Sequence, residues 1–227
     1  MKKETNMQDN IRIEKERKYW DKNAPRYDRG IEKYWEFYSV LVDKISQDAG
    51  VGNTVLEVAA GTGAISLKVA EQAARVYGVD ISPLMVDEAK KKLEEKGIGN
   101  VNFSVHDAYS LPFDKDMFDT VICCSALHNM VNPGKALSEM NRVLKPEGRL
   151  IAPTICQGEY FKHKLMMTIF KLVAGFPVFH KFSFEELSNL VTESGFIIRN
   201  EEVIREMVFP IAYIVAELNI DGKIESV

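Results

Sequence analysis

The sequence predicts a doubly wound α/β fold, with seven strands in one mostly parallel sheet, helices on both faces and an antiparallel last strand. Three observations predict it. Short β-branched runs alternate with helical patterns from residue 54 to residue 153. The run 118–124 is nearly all apolar, as expected of a central strand buried on both faces. Two strand patterns, 196–204 and 208–217, then follow one another with no helical pattern between them, which suits an antiparallel ending.

The elements follow in order. Residues 1–10 are polar and read as a frayed tail. Residues 11–21 form a charged helix, which Asn23-Ala24-Pro25 is expected to interrupt. Trp35, Tyr38, Leu41, Val42 and Ile45 recur at three- and four-residue spacing, so a second helix follows. Strands are expected at 54–58, 75–79, 101–106, 118–124 and 149–153, and helices at 64–72, 83–96, 133–143 and 185–194. The second of these strand–helix units is sharply punctuated. Ser82-Pro83 supplies a cap and a first-turn proline, and Gly97 a stop. The exception to the alternation is 156–182, rich in Met, Phe and Lys, which reads as an inserted helical lid. All 227 residues then make one domain, with N-terminal helices over 11–48.

Bulk properties exclude some functions. Basic residues number 29 and acidic 33, well mixed, so the chain has no electrostatic footprint for nucleic acid. Cys123, Cys124 and Cys156 make no CxxC pair, and no His/Asp/Glu cluster has ligand spacing, so neither disulfide nor metal is expected. The N-terminus lacks the apolar core of a signal peptide, and no apolar run approaches the roughly 20 residues of a membrane span. The expected location is the cytoplasm, as a monomer or homodimer.

The chemistry concentrates at Val55-Leu56-Glu57-Val58-Ala59-Ala60-Gly61-Thr62-Gly63 and at Asp80, which ends the next strand. A strand, a small-residue loop, a helix and a second strand tipped by a carboxylate form half of a nucleoside-binding unit. The acid suits ribose hydroxyls. The dinucleotide pattern G-x-G-x-x-G fails, because Ser66 stands at its third glycine, and no Gly-Lys-Ser/Thr follows for a P-loop. What remains suits a nucleoside with a compact charged tail, and Glu57 is placed to face a cationic ammonium.

This stretch resembles motif I of the class I S-adenosylmethionine-dependent methyltransferases, which have a Rossmann-like fold. The resemblance extends through Gly78-Val79-Asp80-Ile81-Ser82, His106 to Phe113, Phe118 to Val121, Ala126-Leu127-His128-Asn129 and Arg142 to Gly148, about residues 50–153. It is closest to the ubiquinone/menaquinone C-methyltransferase-like, type 11 subgroup. Two positions depart from the pattern. Ala59 replaces a glycine and is expected to adopt a backbone without positive φ, and Glu147 replaces the first glycine of a Lys-Pro-Gly-Gly turn.

The resemblance implies S-adenosylmethionine as cofactor and S-adenosylhomocysteine as product, with no metal. It implies that Glu57 holds the ammonium, that Ala59, Gly61, Thr62 and Gly63 line the tail, and that Asp80 binds the ribose. Ile81 and Met85 would lie against adenine, Asp107 and Ala108 at its amine, Ser125 near the sulfonium, and Tyr27 in a closing N-terminal segment. His128, after strand 4, is the candidate general base. Tyr19, Tyr109, Tyr160, His163 and His180 are candidate substrate contacts. The acceptor is a small molecule, methylated on C, N, O or S. The lid favours one that is apolar, aromatic, quinone-like or a thiol. Lysines 162, 164, 171 and 181 leave weak interfacial contact with a membrane open. The alternative is a non-catalytic cofactor-binding module or partner subunit.

Overall fold

The structure, a computed structural model, describes residues 2–156, 179–205 and 210–220. Helices α1 (Lys2–Glu32) and α2 (Trp35–Ala49) precede β1 (Thr54–Val58), α3 (Ala64–Val69), β2 (Arg75–Asp80), α4 (Pro83–Lys96), β3 (Val101–Val105) and β4 (Phe118–Ile122). A 3₁₀ turn (Leu127–Asn129), α5 (Pro133–Val143), β5 (Leu144–Ile151), β6 (Thr154–Ile155), α6 (Phe184–Glu193), β7 (Phe196–Ile204) and β8 (Ile211–Leu218) complete it.

The sheet runs β3-β2-β1-β4-β5-β8, with β6 and β7 also paired to β8. Pairings from β3 to β5 are parallel, and β8 runs antiparallel to β5, β6 and β7. β6 continues β5, since Ile151 pairs with Val215 and Thr154 with Ala212 in one unbroken register. The eight strands therefore occupy the seven expected lanes.

Burial explains the order. Val55, Val76, Ile122, Ile151 and Tyr213 face α2, α3 and α4, packing on Leu41, Ile45, Ile65 and Val86. Leu56, Val58, Val121, Leu150 and Ile214 face α5 and α6, packing on Leu137, Met140, Leu187 and Val191. Alternate residues of β1 thus serve opposite layers, so a strand in its position must be apolar on both faces.

Three expectations are corrected. The helix runs from Lys2 through Pro25 to Glu32, so neither the tail nor the break at 23–25 is present. Proline removes one backbone hydrogen bond, but contacts on both sides of it hold the helix: Asp21 accepts from the Ser82 hydroxyl at 2.5 Å, and Asp28 from that of Thr62 at 2.6 Å. α3 stops at Val69 rather than residue 72. β5 starts at Leu144, with residues 145–148 bulged out opposite Asp119, and ends at Ile151 rather than residue 153. The described part of β8 runs from Ile211 to Leu218, and the expected start at 208 lies outside the described residues. Most of the expected lid, 157–178, lies outside the described residues, with Tyr160 and His163. Among the described residues no helix is long and apolar enough to cross a membrane.

Candidate active site

The C-terminal tips of β1 to β4 open on one cavity, and α1 crosses it. At the β1 tip the chain turns sharply. Ala59 takes φ +60°, Gly61 +54° and Gly63 +80°. Ala59 therefore adopts the left-handed conformation that its missing glycine would have supplied, contrary to the sequence expectation. The turn demands it, because Ala60 N–H must reach the Val79 carbonyl at 2.9 Å and Gly63 N–H the Ala60 carbonyl at 2.9 Å. Gly63 is required for packing: a Cβ there would stand 2.6 Å from the Phe103 ring.

Two carboxylates order the loops behind this turn. Asp80 accepts from Gly61 N–H at 2.8 Å and Ser82 N–H at 2.9 Å, clamping the tips of β1 and β2 together. Burial raises its pKa, and the backbone donors oppose that rise. Glu57 is buried beneath, where its Oε2 accepts from Ser66 N–H at 2.9 Å and also from the Ser66 hydroxyl. Burial pushes the Glu57 carboxyl up to about 7, with the Ser66 bonds acting against the shift. Ser66, the residue that broke the dinucleotide pattern, thus has a definite role in holding this acid.

At the β3 tip, Asp107 accepts from Tyr109 N–H at 3.1 Å and pairs with Arg12 of α1. The Arg12 guanidinium lies 4.2 Å above the Tyr109 ring, and the Tyr109 hydroxyl accepts from Asn132 N–H at 2.7 Å. Past the β4 tip, Ser125 takes φ +52° and donates its N–H to the Pro153 carbonyl at 2.7 Å. A left-handed serine on a cavity wall is stored strain of the kind that collects at functional sites. Asn129 donates to the Ser125 carbonyl at 3.3 Å, and its Oδ1 is buried with no donor among the described residues.

The wall is completed by Glu16, Trp20 and Tyr27 from α1. The helix is pinned there by the Arg12–Asp107 ion pair, by Arg17 donating to the Ile81 carbonyl at 3.2 Å, and by Asp21 at the start of α4. Trp20 and Tyr27 meet edge to face at 6.4 Å.

The sequence matches the methyltransferase domain family over residues 56–152, from inside β1 to just past β5. A ubiquinone/menaquinone biosynthesis C-methyltransferase from Geotalea daltonii is 30% identical over 186 residues, which is 75% of this chain and 77% of that protein. The chain belongs to the S-adenosylmethionine-dependent methyltransferases. A demethylmenaquinone methyltransferase from Clavibacter sepedonicus is 42% identical over 106 residues, 47% of this enzyme and 41% of its own length. In structure, magnesium protoporphyrin IX methyltransferase from Synechocystis, solved with bound S-adenosylhomocysteine, superposes with a TM-score of 0.71 at 21% identity, covering 89% of this enzyme and 97% of its chain.

Of the residues assigned to the cofactor, Tyr27, Ala59, Gly61, Asp80, Ile81, Met85, Asp107, Ala108 and Ser125 line the cavity of this methyltransferase. Glu57, Thr62 and Gly63 stand behind the wall. Glu57 holds the first turn of α3, and Thr62 is tied to Asp28. Among the substrate candidates Tyr109 is on the wall, while Tyr19 and His180 are not. Tyr19 packs edge to face on Trp20 at 5.0 Å, and His180 stacks on Phe182 at 5.2 Å.

His128 is also off the wall, although its neighbours Ala126, Asn129 and Met130 are on it. It is buried, burial holds its pKa down at about 4, and its Nδ1 has no partner among the described residues. An imidazole with that pKa is a weak base. Its carbonyl accepts from the N–H groups of Phe179 and His180, each at 3.1 Å.

The sequence reading missed Glu16, Trp20, His106, Asn129 and Met130, all of which line the cavity. One signal was available for the helix: Arg12, Glu16 and Trp20 recur every four residues, on one face.

The cavity suits an S-adenosyl ligand. Asp80 and Asp107 offer carboxylates from neighbouring strand tips, the Gly61 turn brings backbone close, and Met85 and Ile81 add apolar contact. Among the described residues no group of three or more His, Cys, Asp or Glu is placed to hold a metal.

Proposed function

We propose that this enzyme methylates an apolar, aromatic small molecule of the quinol or phenol type. One observation carries the reading: a single cavity joins strand-tip carboxylates with an apolar and aromatic wall of Trp20, Tyr27, Ala126 and Met130. The names of the quinone-methylating relatives agree with it. A thiol fits the same apolar wall and is the second choice.

In this reading Asp80 holds the ribose hydroxyls, since each of its oxygens keeps a lone pair beyond the backbone bond it already accepts. Asp107 faces the adenine amine, and Ile81 and Met85 pack on the base. Glu57 acts from behind the wall, fixing the α3 turn and placing negative charge beneath the ligand's ammonium. The bound cofactor supplies an electrophilic methyl group on a sulfonium. The protein's own contribution is alignment and exclusion of water. Tyr27 and Trp20 cover the site, and Ser125 and Asn129 flank the β4 tip. The free Oδ1 of Asn129 accepts a hydrogen bond from an acceptor hydroxyl, orienting the ring. His128, neutral and off the wall, serves as a positioning residue that secures residues 179 and 180 to the β4 turn.

Radiolabelled S-adenosylmethionine offered with a panel of quinols, phenols, thiols and amines tests this. Label is expected on a quinol or phenol. Label on amines alone would refute the acceptor class, and tight cofactor binding with no labelled product would support a non-catalytic module.

A further inference from the structure

We propose that Glu16 on α1 reads the nucleobase of the cofactor, accepting a hydrogen bond from the exocyclic amine of adenine beside Asp107. The inference rests on the S-adenosyl assignment of the cavity and goes beyond it by naming a selectivity residue on the N-terminal helix.

Three observations support it. Glu16 lines the cavity, and Arg12 Nη1 donates to its Oε2 at 2.8 Å. Its Oε1 is shut away from solvent and has no donor among the described residues. A buried carboxylate oxygen without a donor is costly, so a ligand that brings an N–H to it gains the whole difference. The same guanidinium also pairs with Asp107, so one cation faces two carboxylates and the cluster keeps a net negative charge. At Oε1 itself a hydrogen-bond donor is favoured over an oxygen acceptor, while the buried Nε of Arg12 is without an acceptor among the described residues. The adenine amine carries two N–H groups, enough for Asp107 and Glu16 together.

Sheet order places this cluster at the nucleobase end. Asp107 follows β3, which lies three lanes from β4 in the order β3-β2-β1-β4. At a strand spacing of about 4.8 Å, that is roughly 14 Å from the β4 tip where Ser125 and Asn129 stand. A donor on the methyl acceptor belongs at β4, and a donor on the base belongs at β3.

The test is calorimetric titration of the full chain with S-adenosylhomocysteine and with S-inosylhomocysteine, in which an oxygen replaces the amine. The unsubstituted protein is expected to prefer the adenosyl ligand. Glu16→Gln is expected to lower adenosyl affinity about tenfold, the value of one hydrogen bond to a charged acceptor. It should leave inosyl affinity the same or higher, because the new amide donates to the base oxygen. Asp21→Ala, which loosens α1 away from the cavity, should weaken both ligands equally. Equal losses, or none, in Glu16→Gln would overturn the inference, as would an effect confined to the KM of the methyl acceptor. If the unsubstituted protein binds neither ligand, the S-adenosyl assignment itself fails and this inference with it.

Discussion

Ala59 and Ala60 are adjacent alanines in the turn after β1, and replacing each with glycine should give effects of opposite sign. Ala59 sits at φ +60°, where an L-residue with a Cβ is strained by about 1–2 kcal/mol. Glycine removes that strain, costs about 0.4–1 kcal/mol in unfolded-chain entropy, and loses a half-buried methyl worth about 0.4 kcal/mol. Ala59→Gly should therefore stabilise by about 0.5 kcal/mol. Ala60 keeps a negative φ and is 8% exposed, so it has no strain to release. Ala60→Gly pays the same entropy and a fully buried methyl, about 1.5 kcal/mol in all. The two substitutions, one residue apart, should differ by about 2 kcal/mol, or roughly 4–8 °C in Tm for a chain of this size. Thermal and urea unfolding of the ligand-free variants by circular dichroism measures this. If Ala59→Gly destabilises as much as Ala60→Gly, the left-handed assignment at Ala59 is wrong.

Asp80→Asn leaves an amide N–H facing either Gly61 N–H or Ser82 N–H, so it should cost about 1–3 kcal/mol of stability in urea titration and at least about tenfold in S-adenosylhomocysteine affinity. His128 and Glu57 should pull stability in opposite directions with pH. The folded pKa of His128 is lowered to about 4, so its contribution is present above pH 6.5 and is lost as pH falls towards 4. That of Glu57 is raised to about 7, so its contribution is complete below pH 4.5 and is lost as pH rises through 7. His128→Gln should flatten the acid limb and Glu57→Gln the neutral one in a series of urea titrations against pH. Asp21→Ala removes an acceptor for Ser82 Oγ and Leu84 N–H, and should speed hydrogen exchange through 11–32 while β1 to β4 stay protected.

The central sheet was legible because its signals are local. The 118–124 run, the Ser82-Pro83 start and the Gly97 stop each depend on neighbours in sequence, and Ser82 Oγ does accept from Met85 N–H at 3.1 Å. Asp80 and Asp107 were readable for the same reason, as acids ending strands. What escaped depends on distant partners. Pro25 is tolerated inside α1 because Ser82 and Thr62, far along the chain, hold the helix on either side of it. Glu16 and Trp20 looked like an ordinary charged helix until α1 was laid across the strand tips. Residues 145–148 read as a turn and form a bulge within β5, with Lys145 reaching Asp119 at 2.6 Å. His128 sat at the right place in the chain, but its ring is buried rather than on the wall. Sequence position cannot settle which way a side chain turns after a strand.

The antiparallel placement of β8 has a consequence for the order of assembly. This strand lies between β5 and β7, and among the described residues β7 pairs with no other strand. As the chain is synthesised, β1 to β5 can pair as each emerges, but β7 must wait for residues 211–218. Until then β5 presents a bare apolar edge, Leu150 and Ile151 included, of the kind that templates association between chains. β8 therefore closes the sheet, and a nascent chain stalled just short of Ile211 would have a nearly finished cavity on a scaffold prone to aggregate.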